Sequence, residues 1–200
     1  GEKNYRFSVF GESREPANDV EKYLNDYLAD KINKYIEIGA FVGSGPHQVI
    51  SKVKKPTIAT GSGYKSMDMQ DSRFIQLDMR SKSLRNGTSG QWKWLIEQLD
   101  SFTGKNVFIF LENTPDSFTD KLEARLLKDI LAKYKASKFN NVWVFYKGDK
   151  NEVTKDRGVR YFSSAGFDVT NLTADNKKAA LYILVTIMGD QVTYEYKPIE

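Results

Sequence analysis

The 200-residue chain has no cysteine and a single histidine, His47. Without cysteine there is no disulfide framework, no thiolate metal site, no cysteine nucleophile and no redox role. With one histidine there is no second imidazole to share a metal. No apolar run reaches the ~20 residues that cross a bilayer, so no membrane span is expected. No basic-then-apolar signal segment stands at Gly1, and we expect a domain cut from a longer protein. Charge of one sign is not in large excess either: 30 Lys and Arg against 26 Asp and Glu give +4. The two signs are interleaved, which reads as a solvated surface and gives no reason to expect specific nucleic-acid binding. The absence of cysteine fits the cytoplasm and export across a bacterial envelope alike.

What is present is an ordinary globular composition with enough chain for one sizeable core. Tyr5 to Phe10 alternates apolar and polar residues and ends at Gly11, which predicts a strand and a tight loop. Asn18 or Asp19 then caps a helix whose apolar positions Val20, Tyr23, Leu24, Tyr27, Leu28, Ile32 and Tyr35 are expected to cover a sheet. Short strands are predicted at residues 36–42, 57–60 and 74–77, separated by glycine loops, with a polar loop at 80–90. The second half predicts a helix over 89–99, a strand over 106–111, a helix over 118–134 and a strand over 141–146. Ser117 and Asp120 cap the long helix, and Leu122, Leu126, Ile130 and Tyr134 are expected to form its buried stripe. Strands at 159–163, 167–172, 180–188 and 191–196 follow, the last two joined as a hairpin by Gly189 and Asp190. No interior linker or repeat divides the chain, so one α/β domain with mixed sheets covered by helices is expected.

Certain local words and their order resemble the calcineurin-like metallophosphoesterase family over nearly the whole chain. Phe74, Ile75, Gln76, Leu77 and Asp78, then a glycine-bearing loop, then Gln91, Trp92, Lys93, Trp94, Leu95 and Leu99, are similar to that family's strand, loop and Q..WL...L helix. Residues 106–111 followed by Pro115 resemble the strand that delivers a ligand histidine before a proline-containing turn. Gly158, Val159, Arg160 and Tyr161 with the final hairpin resemble the strands that close the second sheet. The resemblance implies a four-layer α-β-β-α sandwich with two mixed sheets.

It also implies five metal-binding motifs, and these positions are degenerate. Asp-x-His falls on Glu12, Ser13 and Arg14, and Gly-Asp falls on Gly39 and Ala40, which has no donor where the metals' bridging carboxylate belongs. Gly-Asn-His falls on Gly61, Ser62 and Gly63 before Tyr64, the lone histidine falls on Glu112, and Gly-His-x-His falls on Gly148, Asp149, Lys150 and Asn151. A two-metal phosphoesterase needs its ions to acidify a water and clamp the reacting oxygens. The residues left, Glu12, Glu112, Asp149 and Asn151, offer oxygen donors suited at best to magnesium, manganese or calcium. We therefore expect no cofactor and a catalytically inactive domain that binds, spaces or regulates within a larger protein. That protein is expected to be bacterial, extracellular or at the cell surface, with other domains of the parent protein or an anionic ligand as partners. The alternative is a divergent phosphoesterase that holds one of those hard cations.

The implied loop positions also place Arg14, Lys147 and Lys150 where phosphate oxygens met the metals, an anion pocket in prospect. The rival expectation pairs Arg14 with Glu12, Glu112 or Asp149 in a salt bridge that plugs the site. His47 reads as a loop histidine opening a helix. No serine has the surroundings of a nucleophile elbow, and Gly61 to Gly63 lacks the lysine of a phosphate-binding loop. The sequons at Asn86 and Asn171 matter only in a eukaryotic secretory pathway. Trp92, Trp94 and Trp143 are expected in the core, Tyr64 exposed, and Arg80, Lys82 and Arg85 on an exposed contact loop.

Overall fold

A computed structural model describes residues 4–169 and 172–200. A five-stranded sheet runs in the order β11-β10-β1-β2-β3 and a six-stranded sheet in the order β4-β5-β6-β7-β9-β8. The first is built from β1 (Tyr5–Phe10), β2 (Ile38–Phe41), β3 (Thr57–Ala59), β10 (Leu181–Met188) and β11 (Gln191–Pro198). The second holds β4 (Lys65–Met69), β5 (Ser72–Gln76), β6 (Asn106–Asn113), β7 (Asn141–Lys147), β8 (Glu152–Asp156) and β9 (Val159–Ser164). Each sheet combines both directions: β1, β2 and β3 pair in parallel, as do β5, β6, β7 and β9, while β10 runs antiparallel to β1 and β11, and β4 and β8 run antiparallel to β5 and β9. Both sheets are thus mixed, as the sequence predicts.

Side-chain alternation along the central strands sorts residues by type. Val107, Ile109 and Leu111 of β6, with Val142 and Val144 of β7, join a core shared with α3 (Gln91–Ser101) and α4 (Lys121–Ser137). Their neighbours Phe108, Phe110, Trp143 and Phe145 point the other way and meet Phe7, Val9, Ile38 and Ile183 of the first sheet. This is the period-two pleat of a strand buried on both faces. A third core joins Phe10 and Phe41 to Leu24, Leu28 and Ile32 of α1 (Asp19–Tyr35). Phe7 sits edge-on to Phe74, Phe108, Phe110 and Phe145, so a cluster of aromatic rings fills the centre of the space between the sheets.

Several expectations need correction. In α1, Tyr23, Tyr27 and Tyr35 are exposed, and Glu21, Asn25 and Ala29 are buried beside Leu24, Leu28 and Ile32. The sheet takes a narrower stripe than the apolar positions offered. In α4, Leu122 is 70% exposed and Leu126 47%, while Ala124, Leu127, Leu131 and Ala132 face the core. The sequence holds two overlapping stripes, and the one with alanines admits the closer helix-to-sheet approach. Asp120 alone caps that helix, accepting from the Leu122 amide, and Ser117 belongs to a short 3-10 turn before it. No strand forms at 167–169, and Thr170 and Asn171 lie outside the described residues. The edge strands β4 and β8, and a four-residue helix α2 (Leu84–Gly87), have no counterpart in the sequence reading. The edge strands are polar and half-exposed, so no hydrophobic alternation marks them.

Candidate functional site

Loops at the C-terminal ends of parallel strands are where open α/β sheets place ligands, and in this chain those loops touch. Gly11, just past β1, donates its N–H to the Ser164 Oγ at 2.7 Å. A Cβ on Gly11 would lie 2.5 Å from the Ser164 carbonyl oxygen, 2.9 Å from the Gly166 nitrogen and 2.9 Å from the Lys147 Cδ. Glycine is therefore required for the β1 and β9 loops to abut, and the stem of Lys147 closes the third side.

Two cations and two carboxylates fill the junction. Lys147, 10% exposed along its side chain, reaches Asp168 Oδ2 at 3.0 Å and donates to the Gly148 carbonyl at 3.0 Å. Arg14 donates to Asp168 Oδ1 at 2.6 Å, lies 3.4 Å from Glu21 Oε2, and sits 5.9 Å above the Phe167 ring. Burial pushes the Asp168 carboxyl up, but hydrogen bonds and charge from Lys147 and Arg14 outweigh it and hold the group below its ordinary value. Of the three residues named for an anion pocket, Arg14 and Lys147 are thus brought together and neutralised by Asp168 and Glu21. The partners differ from those expected, since Arg14 pairs with neither Glu12, Glu112 nor Asp149. Sequence reasoning missed Asp168 because its segment reads as a strand and gives no sign of folding back onto β1. Lys150 is exposed and has no ion pair among the described residues. It shares a cleft of ≈ 420 Å³ with Lys147, but Asp116, Asp149 and Glu152 line it too, three carboxylates against two ammonium groups.

The other motif positions are dispersed or occupied. Ala40 is wholly buried in β2. Ser62 is exposed, donates to the Ala59 carbonyl at 2.8 Å and belongs to a turn with Gly63 at φ 102°. Tyr64 is not exposed as expected but half-buried, 4.5 Å from the Trp94 ring. Trp143 is buried, whereas Trp92 and Trp94 only flank their core. Glu12 is half-buried, Asp149 is exposed, and the Asn151 Oδ1 is taken by the Ala165 N–H at 2.9 Å. Glu112 lies inside the end of β6, buried, with its Oε1 taken by the Met79 N–H at 3.1 Å. Burial raises its pKa first, the Met79 N–H opposes this, and the nearby Asp78 charge adds to the rise. Among the described residues no three His, Cys, Asp or Glu side chains converge so as to hold a metal ion. Glu12, Glu112 and Asp149 are thus not gathered in such a group.

His47 opens a 3-10 turn at Gln48–Lys52, and its Nε2 lies 2.9 Å from the Thr60 carbonyl, which makes that nitrogen the protonated one. Burial lowers its pKa, opposed by the Thr60 carbonyl and the Glu12 charge. The loop of Arg80, Lys82 and Arg85 is exposed, but its arginines are tied locally. The fully buried Asp78 carboxylate accepts from Arg80 at 3.0 and 2.8 Å and from Thr88 Oγ1 at 2.6 Å. Those Arg80 hydrogen bonds depress its pKa, ahead of the opposing burial. Gln91 grips the Asp78 backbone from both sides, accepting at 2.7 Å and donating at 2.8 Å, and Glu123 accepts from the Arg85 amide and the Trp92 indole at 3.0 and 2.8 Å. That network pins the loop to α3 and α4. It accounts for the Asp78, Gln91 and Trp92 words of the sequence as framework.

Comparison with protein-family models finds no match, and comparison with curated proteins finds none. Among solved structures the chain is similar to GAP50, described as the anchor in the inner membrane complex of Plasmodium, with a TM-score of 0.69 at 10% identity, over 98% of this chain and 85% of that one. At that identity the likeness shows a shared fold.

Proposed function

We propose that this chain is a divergent metallophosphoesterase-like domain, layered α-β-β-α, whose former metal site has become a structural salt-bridge junction and whose role is to bind or hold other proteins. The layering is supported by the three cores, one under α1, one between the sheets and one under α3 and α4. The observation that carries the functional reading is Asp168 held by both Arg14 and Lys147 where the β1, β7 and β9 ends meet. Fixed side-chain charges that satisfy each other there favour a structural role for the junction over metal binding. An anchoring role in the similar solved structure points the same way. Other domains of a parent protein are the natural partners of such a module.

The test is metal analysis of protein incubated with manganese and magnesium, followed by phosphomonoester and phosphodiester assays with and without chelator. Substoichiometric metal and no chelator-sensitive turnover are expected. Stoichiometric metal with chelator-sensitive turnover would establish instead the divergent phosphoesterase.

A further inference from the structure

Near the last turn of α1 a cleft of ≈ 150 Å³ lies against the first sheet, lined by Arg6, Lys31 and Lys197, by Tyr35 and Tyr182, and by two aliphatic side chains. No carboxylate is in that wall. Strand register gathers the cations: Lys197 of β11 stands opposite Tyr182 of β10, and Arg6 of β1 opposite Thr186, so all four project from the face that α1 covers. Lys31 enters from α1, its ammonium 2.7 Å from the Ile199 carbonyl and 5.4 and 5.2 Å from the Tyr27 and Tyr182 ring centres. Burial lowers its pKa and the Lys197 charge lowers it further, against a smaller opposing pull from Glu200. Arg6, Lys31 and Lys197 form no ion pair among the described residues. The surrounding carboxylates do not cancel them. Glu200 is held by Lys177 at 3.0 Å and Asp30 by Lys34 at 3.0 Å, Glu37 accepts the Arg6 N–H at 2.8 Å, and the exposed Glu195 stands opposite Leu184. Even with Glu37 and Glu195 counted in full, three cations meet two carboxylates, and only the cations line the cleft. Tyr182 supplies a fourth donor: it is 2% exposed, and its hydroxyl has no hydrogen bond among the described residues yet is not closed off from solvent.

We infer that this cleft binds a phosphoryl group. A guanidinium fork, two ammonium groups and a phenol all donate, and a tetrahedral dianion offers acceptor oxygens to each of them, where a carboxylate brings one charge and two oxygens. Bound there, its charge also offsets the repulsion between Lys31 and Lys197. The volume is below the ~300 Å³ that encloses a whole small molecule. One charged group therefore enters, and the rest of a phosphate ester stays outside, beside Tyr35, which is 62% exposed. Free phosphate and a phosphate monoester share this chemistry. The cleft is separate from the junction of Arg14, Lys147 and Asp168, because Arg6 precedes Gly11 by about 17 Å of extended chain and the junction lies past Gly11.

The probes are sodium phosphate and glycerol 3-phosphate, each titrated to about 20 mM against the ¹⁵N-labelled chain at about pH 7.5, where both are largely dianions. Sodium chloride holds the ionic strength constant. Phosphate is expected to shift the backbone amides of Arg6, Lys31, Tyr182 and Lys197 saturably, with a Kd of about 1 mM, and to leave those of Arg14 and Lys147 in place. Acetate is expected to bind about ten-fold more weakly. Tighter binding of glycerol 3-phosphate than of phosphate would show that the ligand is an ester, and the reverse that it is the free ion. R6Q combined with K197Q is expected to weaken phosphate binding about ten-fold with unchanged far-UV circular dichroism, and Y182F, which keeps the buried ring, about three-fold. No saturable shift, shifts confined to Arg14 and Lys147, acetate bound as tightly as phosphate, or undiminished binding in folded R6Q/K197Q would overturn the assignment.

Discussion

At the residue scale, Glu112 shows what a buried carboxylate costs. Its carboxylate is buried beside Asp78, and the folded chain holds its proton more tightly than the unfolded chain does. Its contribution to stability is therefore complete below the unfolded pKa and lost as the pH rises through the folded value. E112Q keeps an acceptor for the Met79 N–H and removes the charge. Thermal melts at pH 7 should show the variant about 2–4 °C more stable, the shift that 1 kcal/mol makes in a chain of this size, and the gain should vanish near pH 4. Gly11 makes the opposite case, since a methyl there meets backbone atoms of Ser164 and Gly166 that no rotamer change can move. G11A should cost about 1–3 kcal/mol in urea unfolding. A free energy unchanged from the parent would show that the β1 and β9 loops separate easily.

Between elements, Asp168 decides how the strand ends are joined. Its depressed pKa means that the stability it confers is present above the unfolded value and lost as the pH falls through the folded one. D168A should cost about 1–2 kcal/mol, a modest figure because nearly half of the Asp168 side chain faces solvent. It should also leave Arg14 and Lys147 with spare positive charge. Millimolar sulfate is then expected to raise the melting temperature of D168A more than that of the parent chain. Equal responses would mean that the carboxylate does not compete with anions for these cations. The same scale explains the misread helices. The cap of α1 is set by Asn18, one of the two neighbours the sequence offered, whereas α4 is capped by Asp120, one turn beyond the Ser117 that the local pattern singled out. Which of two apolar stripes on α4 turns inward depends on how closely its alanines let it approach β7 and β9, a contact that helical period alone does not choose.

For the molecule as a whole, the aromatic layer between the sheets is the keystone. Phe7 is the first-sheet residue whose ring meets four phenylalanines of the second sheet. F7A should cost about 3–5 kcal/mol, read as a lowered urea midpoint with the slope of the transition kept. A loss below about 1 kcal/mol would mean that the sheets close over the void. The succession of strands along the chain, the mixed α/β layering and the final hairpin were legible, because period-two alternation and glycine loops are local signals. The polar edge strands β4 and β8 were not, since their pairing is decided by the neighbours β5 and β9.

By itself the sequence determined the alternation of helices and strands and left no thiol and a single imidazole among the donors that transition metals favour. Both are properties of residue type and spacing, which survive without any knowledge of contacts. Only the tertiary structure decided that Arg14 and Lys147 share Asp168 across 154 and 21 positions of chain, that the buried Glu112 carboxylate accepts the Met79 N–H, and that the Asn25 Nδ2 is buried without a partner among the described residues. Charge partners and buried orphans are pairwise facts. They arise when the packing of two sheets brings distant loops together, and no local pattern in either loop encodes the other.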